Sequence, residues 1–382
     1  MARSPGMAWK ILGWTLVVAT LLVVALAGAG FYFSTLLTTP AEPWSTFDKQ
    51  VSAAEDGTVE LTWDGDTDLA GRNALLWDSG HAVLGERIAT SGEIDAGTIT
   101  YEVADVTRGD LTVPLDAAWY SWFFEGTPAE RGLEYREVTP RSDVGDLPSW
   151  YLPGSSDTWV IAVHGINGDR EEALRVLPTL VDAGTPTLVI RYRNDIGVPT
   201  TDNLLRLGDT EWRDVQAAME WASERGAKRF VLYGFSYGAQ VSFQALARAD
   251  DRDRIVGMVL DGPVVSWGST LAFQAGLRGL PTVIAWAGGG VTELRLNIDL
   301  DDFDWIARSD ELDVPILIFH GPDDAYVPWE PSRDLAALRP DIVTLEQVDE
   351  AGYTRSWNTA PGRYEAAVSA FLADVTDPVP VG

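Results

Sequence analysis

The stretch "KRFVLYGFSYGAQVSFQALARA", residues 228 to 249, constrains the fold more than any other part of the chain. An apolar run of strand character enters Gly234-Phe235-Ser236-Tyr237-Gly238, and a run with helical spacing leaves it. A strand that becomes a helix through Gly-x-Ser-x-Gly turns too tightly for side chains at the glycine positions, and the serine hydroxyl is pushed outward. The rest of the chain has to supply a sheet for that strand to join. "TWVIAVHG" (158–165), "PTLVIRYR" (186–193), "RIVGMVLDGP" (254–263), "VPILIFHG" (314–321) and "IVTLEQV" (342–348) read as buried strands. "TEWRDVQAAMEWASERG" (210–226) and "PGRYEAAVSAFLADV" (361–375) have helical spacing, the first with Thr210 as cap and Gly226 as stop. Strand and helix in alternation predict a mostly parallel sheet covered on both faces. The span 264–312 lacks strand character and lies between two sheet strands, so it is expected to be a lid over a pocket.

The other end of the chain points to a membrane. "ILGWTLVVATLLVVALAGAGFYF", Ile11 to Phe33, is an uncharged apolar run of 23 residues, enough to cross a bilayer as a helix. Arg3 and Lys10 precede it, and Glu42, Asp48, Glu55 and Asp56 crowd the far side around the single Lys49. The positive-inside rule then keeps the N-terminus cytoplasmic and the globule outside. The competing reading is a signal peptide cleaved after Ala27, which would make the protein secreted. Phe31, Tyr32 and Phe33 suit a membrane interface better than a cleavage junction.

Composition narrows the chemistry. The formal charge of −29 argues against nucleic acid or an anionic membrane bound through a basic face. There is no cysteine, so disulfides and thiolate metal sites are excluded. Asp64, Asp66 and Asp68 stand at calcium-loop spacing but lack the glycine and the acid that complete such a loop, and a solvated turn is expected. "DLDDFDW" (299–305) is read as a charged loop. No Walker loop, dinucleotide fingerprint or His-x-x-x-His pair is present, so neither cofactor nor metal is expected.

The domain plan that follows is a tail over 1–10, an anchor over 11–33, a linker over 34–45 and a β-rich leader over 46–132. An α/β domain then fills 133–375, and 376–382 is a tail. The leader rests on short alternating runs ("TVELTW", "NALLWD", "HAVLGERIA", "TITYEVADV") at even spacing. Its aromatic cluster Trp119, Tyr120, Trp122, Phe123 and Phe124 is expected to pack against the following domain.

With these motifs in place, residues 133–375 resemble the α/β-hydrolase superfamily, and most closely its membrane-anchored or secreted serine hydrolases of actinobacterial type. The resemblance implies that Ser236 is the nucleophile. It also implies that the acid is Asp324, from the match of "HGPDDAYVP" (320–328) to a His-Gly-x-x-Asp-x-x-Val-Pro pattern, which selects Asp324 over Asp323. "HGINGDR" (164–170) places the oxyanion amides on Ile166 and Tyr237 and makes His164 structural. The base should stand in the loop before the last helix, and there "EAGYTRSWN" (350–358) has Tyr353 where the family has histidine. Of the three histidines, His164 and His320 sit at strand ends and His81 lies in the leader. A phenol of pKa near 10 is protonated at neutral pH and cannot do what an imidazole does.

Two functions therefore stand. The first is a serine hydrolase of carboxylic esters or related acyl substrates, weakened by the loss of its base or using His320 or His81 instead. The second is a pseudoenzyme that binds an ester, a lipid-like ligand or a protein partner at the cell envelope.

Overall fold

The chain begins with α1 (Pro5–Thr38), the apolar helix expected from the sequence. It is exposed along most of its length until Leu26, after which one face packs against the rest of the protein. The helix outlasts the apolar run and takes in the first five residues of the expected linker. Among the polar residues there, Thr35 and Thr38 return their hydroxyls to Phe31 O and Ser34 O at 2.8 Å each. Pro40 then excludes a further turn. This computed structural model describes residues 5–41, 46–120 and 126–376. Arg3, Glu42, Trp122, Phe123 and Phe124, which carried part of the sequence reading, lie outside the described residues.

The leader is a closed antiparallel barrel. Its strands are β1 (Lys49–Glu55), β2 (Thr58–Trp63), β3 (Asn73–Trp77), β4 (Gly80–Ser91), β5 (Gly97–Arg108) and β6 (Leu115–Tyr120), in the order β1-β2-β5-β4-β3-β6. Closure leaves no free edge. Alternate residues such as Val59, Leu61, Ile99 and Tyr101 fill the interior. The acidic turn after β2 is tied to the barrel by Lys49, whose Nζ lies 2.8 Å from Asp64 and 3.1 Å from Asp66.

The second unit is an eight-stranded sheet. In chain order come β7 (Arg136–Val138), β8 (Ser149–Leu152), β9 (Thr158–Val163), α2 (Leu177–Asp182), β10 (Thr187–Ile190), α3 (Trp212–Ser223), β11 (Arg229–Phe235) and α4 (Tyr237–Arg248). Then follow β12 (Ile255–Asp261), α5 (Trp267–Leu277), α6 (Thr282–Leu296), β13 (Ile316–His320), α7 (Glu330–Leu338), β14 (Val343–Gln347), α8 (Ser356–Thr359) and α9 (Pro361–Thr376). The spatial order is β14-β13-β12-β11-β9-β10-β8-β7. The strands from β9 onward run parallel, while β8 and β7 are antiparallel to their neighbours. Strands such as β9 and β13 are buried throughout because each face of the sheet meets a separate apolar layer, one containing α3 and α4, the other α2 and α9. The span 264–312 carries α5 and α6 and crosses from β12 to β13.

Hydrogen bonds tie the barrel to the sheet unit beside the loop that precedes α9. Arg72 N donates to Asn358 O at 2.8 Å, and Asn358 Nδ2 donates back to Arg72 O at 2.7 Å. Arg355 reaches Ala70 O and the Asn73 side chain at 2.7 and 2.8 Å. These contacts fall immediately after Tyr353.

Candidate active site

Ser236 stands between β11 and α4 with φ 49° and ψ −107°. A side chain at such a φ costs on the order of 1–3 kcal/mol, so the surroundings must impose it. They do so by contact. A Cβ on Gly234 would lie 2.5 Å from Ala239 Cα, and one on Gly238 would lie 2.1 Å from Val163 O. The Ser236 amide donates to Asp261 O at 2.9 Å, and its carbonyl accepts from Val264 N at 3.2 Å. With the backbone fixed on both sides, the side chain faces a cavity of about 310 Å³.

Tyr353 lies on the opposite wall of that cavity. Its hydroxyl donates to Ser236 Oγ at 2.6 Å. The ring rests on Tyr326, with centroids 4.8 Å apart. Burial, reinforced by the negative charge of Glu172, pushes the phenol well above its ordinary value. The hydroxyl therefore stays protonated at every physiological pH and offers Ser236 a proton where a base would remove one. The loop that carries Tyr353 is tightly held. Glu350, Gly352 and Thr354 all have φ between 47° and 69°. Glu350 N binds Asp323 Oδ2 at 2.8 Å, and Arg175 Nη1 binds Thr354 O at 2.5 Å.

Asp324 follows β13. Its Oδ1 accepts from the amides of Tyr326 and Val327 at 2.7 and 2.8 Å. Its Oδ2 is buried and has no hydrogen-bond partner among the described residues. His320 Nε2 stands 3.3 Å from it, close enough for an ion pair but not aligned as a hydrogen bond. The same ring is held from behind by Ser332 Oγ at 2.8 Å from Nδ1. Thus Asp323 serves the loop, and Asp324 has a carboxylate oxygen left over on the Gly262 side, where a Cβ would be 3.5 Å away.

The other two histidines are fixed elsewhere. His164 Nε2 meets Asp195 Oδ2 at 2.9 Å, Nδ1 meets Gly165 O at 2.9 Å, and the ring stacks on Tyr192. Burial alone would lower its pKa, but the Asp195 carboxylate, by charge and hydrogen bond, raises it to about 9. His81 sits on barrel strand β4, 2.6 Å from Thr107 Oγ1. Burial, with help from Arg131 and Arg108, lowers it to about 4.

Ile166 lines the cavity beside Ser236. Tyr237 opens α4, so its amide is one of the donors that a helix cannot use internally. Gly165, next to Ile166, is tied down because its amide donates to Glu172 Oε2 at 2.6 Å. Sequence reading missed Glu172 and Arg175, a buried pair 3.6 Å apart that steadies both the 164–168 turn and the Tyr353 loop. It also missed that α1 takes part. Phe33, Leu36 and Leu37 line the same cavity as Ser236. Their spacing of three and four residues was the available signal.

Comparisons with known proteins bear on both units. The model of a family described as a domain of unknown function (DUF8805) matches residues 50–120, which is the barrel. The uncharacterized protein YfhR of Escherichia coli K12 is 23% identical over 245 residues, covering 61% of this chain and 78% of that protein. Among solved structures, the Pyrococcus furiosus esterase Pf2001 aligns with TM-score 0.54 at 21% identity over 66% of this chain and 95% of the esterase. DcsB, solved with a substrate analogue, aligns with TM-score 0.52 at 16% identity over 64% of this chain and all of that one. At such identities the likeness speaks for the fold, and it agrees with the strand order and the strand-to-helix turn. The sheet unit that follows the barrel has the α/β-hydrolase fold.

Proposed function

We propose that the protein is a membrane-anchored serine hydrolase of carboxylic esters or related acyl compounds, working slowly because Tyr353 occupies the position of the base. The observation that carries this reading is the Ser236 side chain, forced outward at φ 49° into an apolar cavity. A strained serine aimed into a cavity has a chemical use that a structural serine lacks. In the reaction Ser236 Oγ would attack the ester carbonyl. The amides of Ile166 and Tyr237 would hold the oxyanion; the ester C–O bond would break with the hydroxyl proton leaving on the alcohol, and water would then cleave the acyl-serine to release the acid and restore Ser236. Without a base at Ser236, the acceleration that remains from oxyanion hole and binding is on the order of 10³–10⁴ over water.

A second reading has its own observation. Asp324 Oδ2 is buried and unbonded among the described residues, and a phenol donates to the nucleophile. That is how a disused triad would look if the pocket served only to bind a ligand. The anchor supports either reading: from Ile11 to Ala25 α1 is exposed and apolar, as a helix in lipid would be.

A fluorophosphonate probe on the full-length protein separates the two. Covalent labelling that disappears in Ser236→Ala supports the hydrolase. No labelling at millimolar probe over hours, with the fold intact, leaves the ligand-binding reading.

A further inference from the structure

The anchor helix is a wall of the pocket as well as a tether, and it fixes which way the pocket opens. Glycine at position 30 lets α1 touch α6, since a Cβ there would lie 2.6 Å from Ala287 O. Eight residues further along α6, Arg295 Nη1 binds Ser34 Oγ at 2.8 Å and Thr38 Oγ1 at 3.4 Å. The two helices therefore run side by side in the same direction, and the N-terminal end of α6 points where α1 points. Counting from Ile11, the first residue after Lys10, about 20 residues at about 1.5 Å each cross a hydrocarbon core of roughly 30 Å, which puts its outer boundary near Gly30. Val283 and Trp286 precede Ala287 on α6 and so lie at that boundary. Trp286 is 74% exposed, Leu277 at the end of α5 is 56% exposed and Val283 46%. An exposed tryptophan among aliphatics at this depth is the usual dress of a protein segment in a membrane interface. Between these residues, Leu280 and Ile284 turn inward and line the cavity with Phe33, Leu37 and Ser236.

We infer that the α5–α6 hairpin tip is seated in the outer leaflet and that the cavity takes the acyl chain of a membrane phospholipid, drawn sideways from the bilayer towards Ser236. This rests on the membrane-anchored hydrolase reading and names its substrate class. The net charge of −29 disfavours anionic lipid, so the leaflet contact is taken as apolar and a zwitterionic bilayer suffices.

The absence of native cysteine makes the test clean. Trp286→Cys, Val283→Cys and a distant control, Glu224→Cys, are each labelled with an environment-sensitive fluorophore in the full chain. The proteins are reconstituted in phosphatidylcholine vesicles. Lipids with a quencher on the acyl chain should quench positions 283 and 286 at least about threefold more than position 224. Equal quenching at all three overturns the seated tip. Vesicles doped with phosphatidylcholine bearing a photoreactive acyl chain should crosslink to peptides from 33–37 and 271–284. Crosslinks confined to the first 25 residues, or spread over the whole surface, overturn lipid entry. Running the crosslink in Ser236→Ala keeps the two readings apart. Lipid capture without fluorophosphonate labelling of the parent protein would sink the hydrolase and leave the lipid site standing. Labelling without capture would do the reverse.

Discussion

Replacing Tyr353 by histidine should raise ester hydrolysis by about 10²-fold. The size follows from two opposing effects. A well-placed base contributes roughly 10²–10⁴ in rate, and Tyr353 stands on Ser236 at hydrogen-bond distance, so the site for a base exists. An imidazole, however, is shorter than a phenol by roughly 1.5–2 Å on standard bond lengths, so in an unmoved loop it stops short of Ser236 Oγ. A misplacement of about 1 Å can cost 10²-fold, which takes the upper end of the range down to the lower. Two features favour the new ring. Asp324 Oδ2 is free of hydrogen bonds among the described residues and could accept from Nδ1. The gap to Ser236 is also wide enough for one bridging water, through which a base still works. Hydrolysis of p-nitrophenyl butyrate by the full-length protein in detergent measures the effect. The gain should vanish with Ser236→Ala, fall with Asp324→Asn, and rise with pH through the ordinary histidine range near 6.5. Tyr353→Phe, which removes the phenol without supplying a base, should show no such pH profile. If the parent protein already matches Tyr353→His and both depend on Ser236, another group is the base and the assignment of Tyr353 is wrong. An unchanged rate in a variant that still labels with fluorophosphonate would mean that Asp324 and position 353 do not cooperate.

Three further outcomes are expected. Protease added to intact cells should digest the barrel and the hydrolase unit, because Arg3 and Lys10 precede the apolar run 11–33 and mostly acids follow it; protection until lysis would reverse the topology. The His164–Asp195 pair should contribute stability below pH 6.5, the unfolded value, and lose it as pH rises through about 9, where the folded imidazole titrates. Chemical denaturation should then show a fall of about 1–3 kcal/mol across that window, and His164→Asn should flatten it. Arg355→Met should cost about 2–4 kcal/mol, since its hydrogen bonds to Ala70 O and Asn73 Oδ1 are buried, and should reduce fluorophosphonate labelling of Ser236. Normal labelling in a folded Arg355→Met protein would show that the barrel does not steady the Tyr353 loop.

That last variant touches the part of the molecule that reading the sequence could not reach. The strand-to-helix turn at Ser236 was legible because its signal is short: two glycines at fixed offsets around the serine, between a run of strand character and one of helical spacing. Tyr353 was placed beside Ser236 through the resemblance to the α/β-hydrolase superfamily, whose base stands in the loop before the last helix. What joins the units was not legible. Glu172 and Arg175 read as two more charges in an acidic chain until the fold removes them from water and sets them behind Gly165 and Thr354. The α1 residues Phe33 and Leu37 look like the end of a membrane span, and only the close approach at Gly30 turns them toward the pocket. The Arg175–Thr354 and Gly30–Ala287 contacts each span more than a hundred residues and are chosen by shape and burial. Their combined effect is directional. Barrel, α1 and insertion all bear on the few residues around Ser236 and Tyr353, so a change at any of the three surfaces has a short mechanical path to the hydroxyl pair. Conversely, a variant that loosens Gly30 against Ala287 should disturb the pocket more than its distance from Ser236 along the chain would suggest.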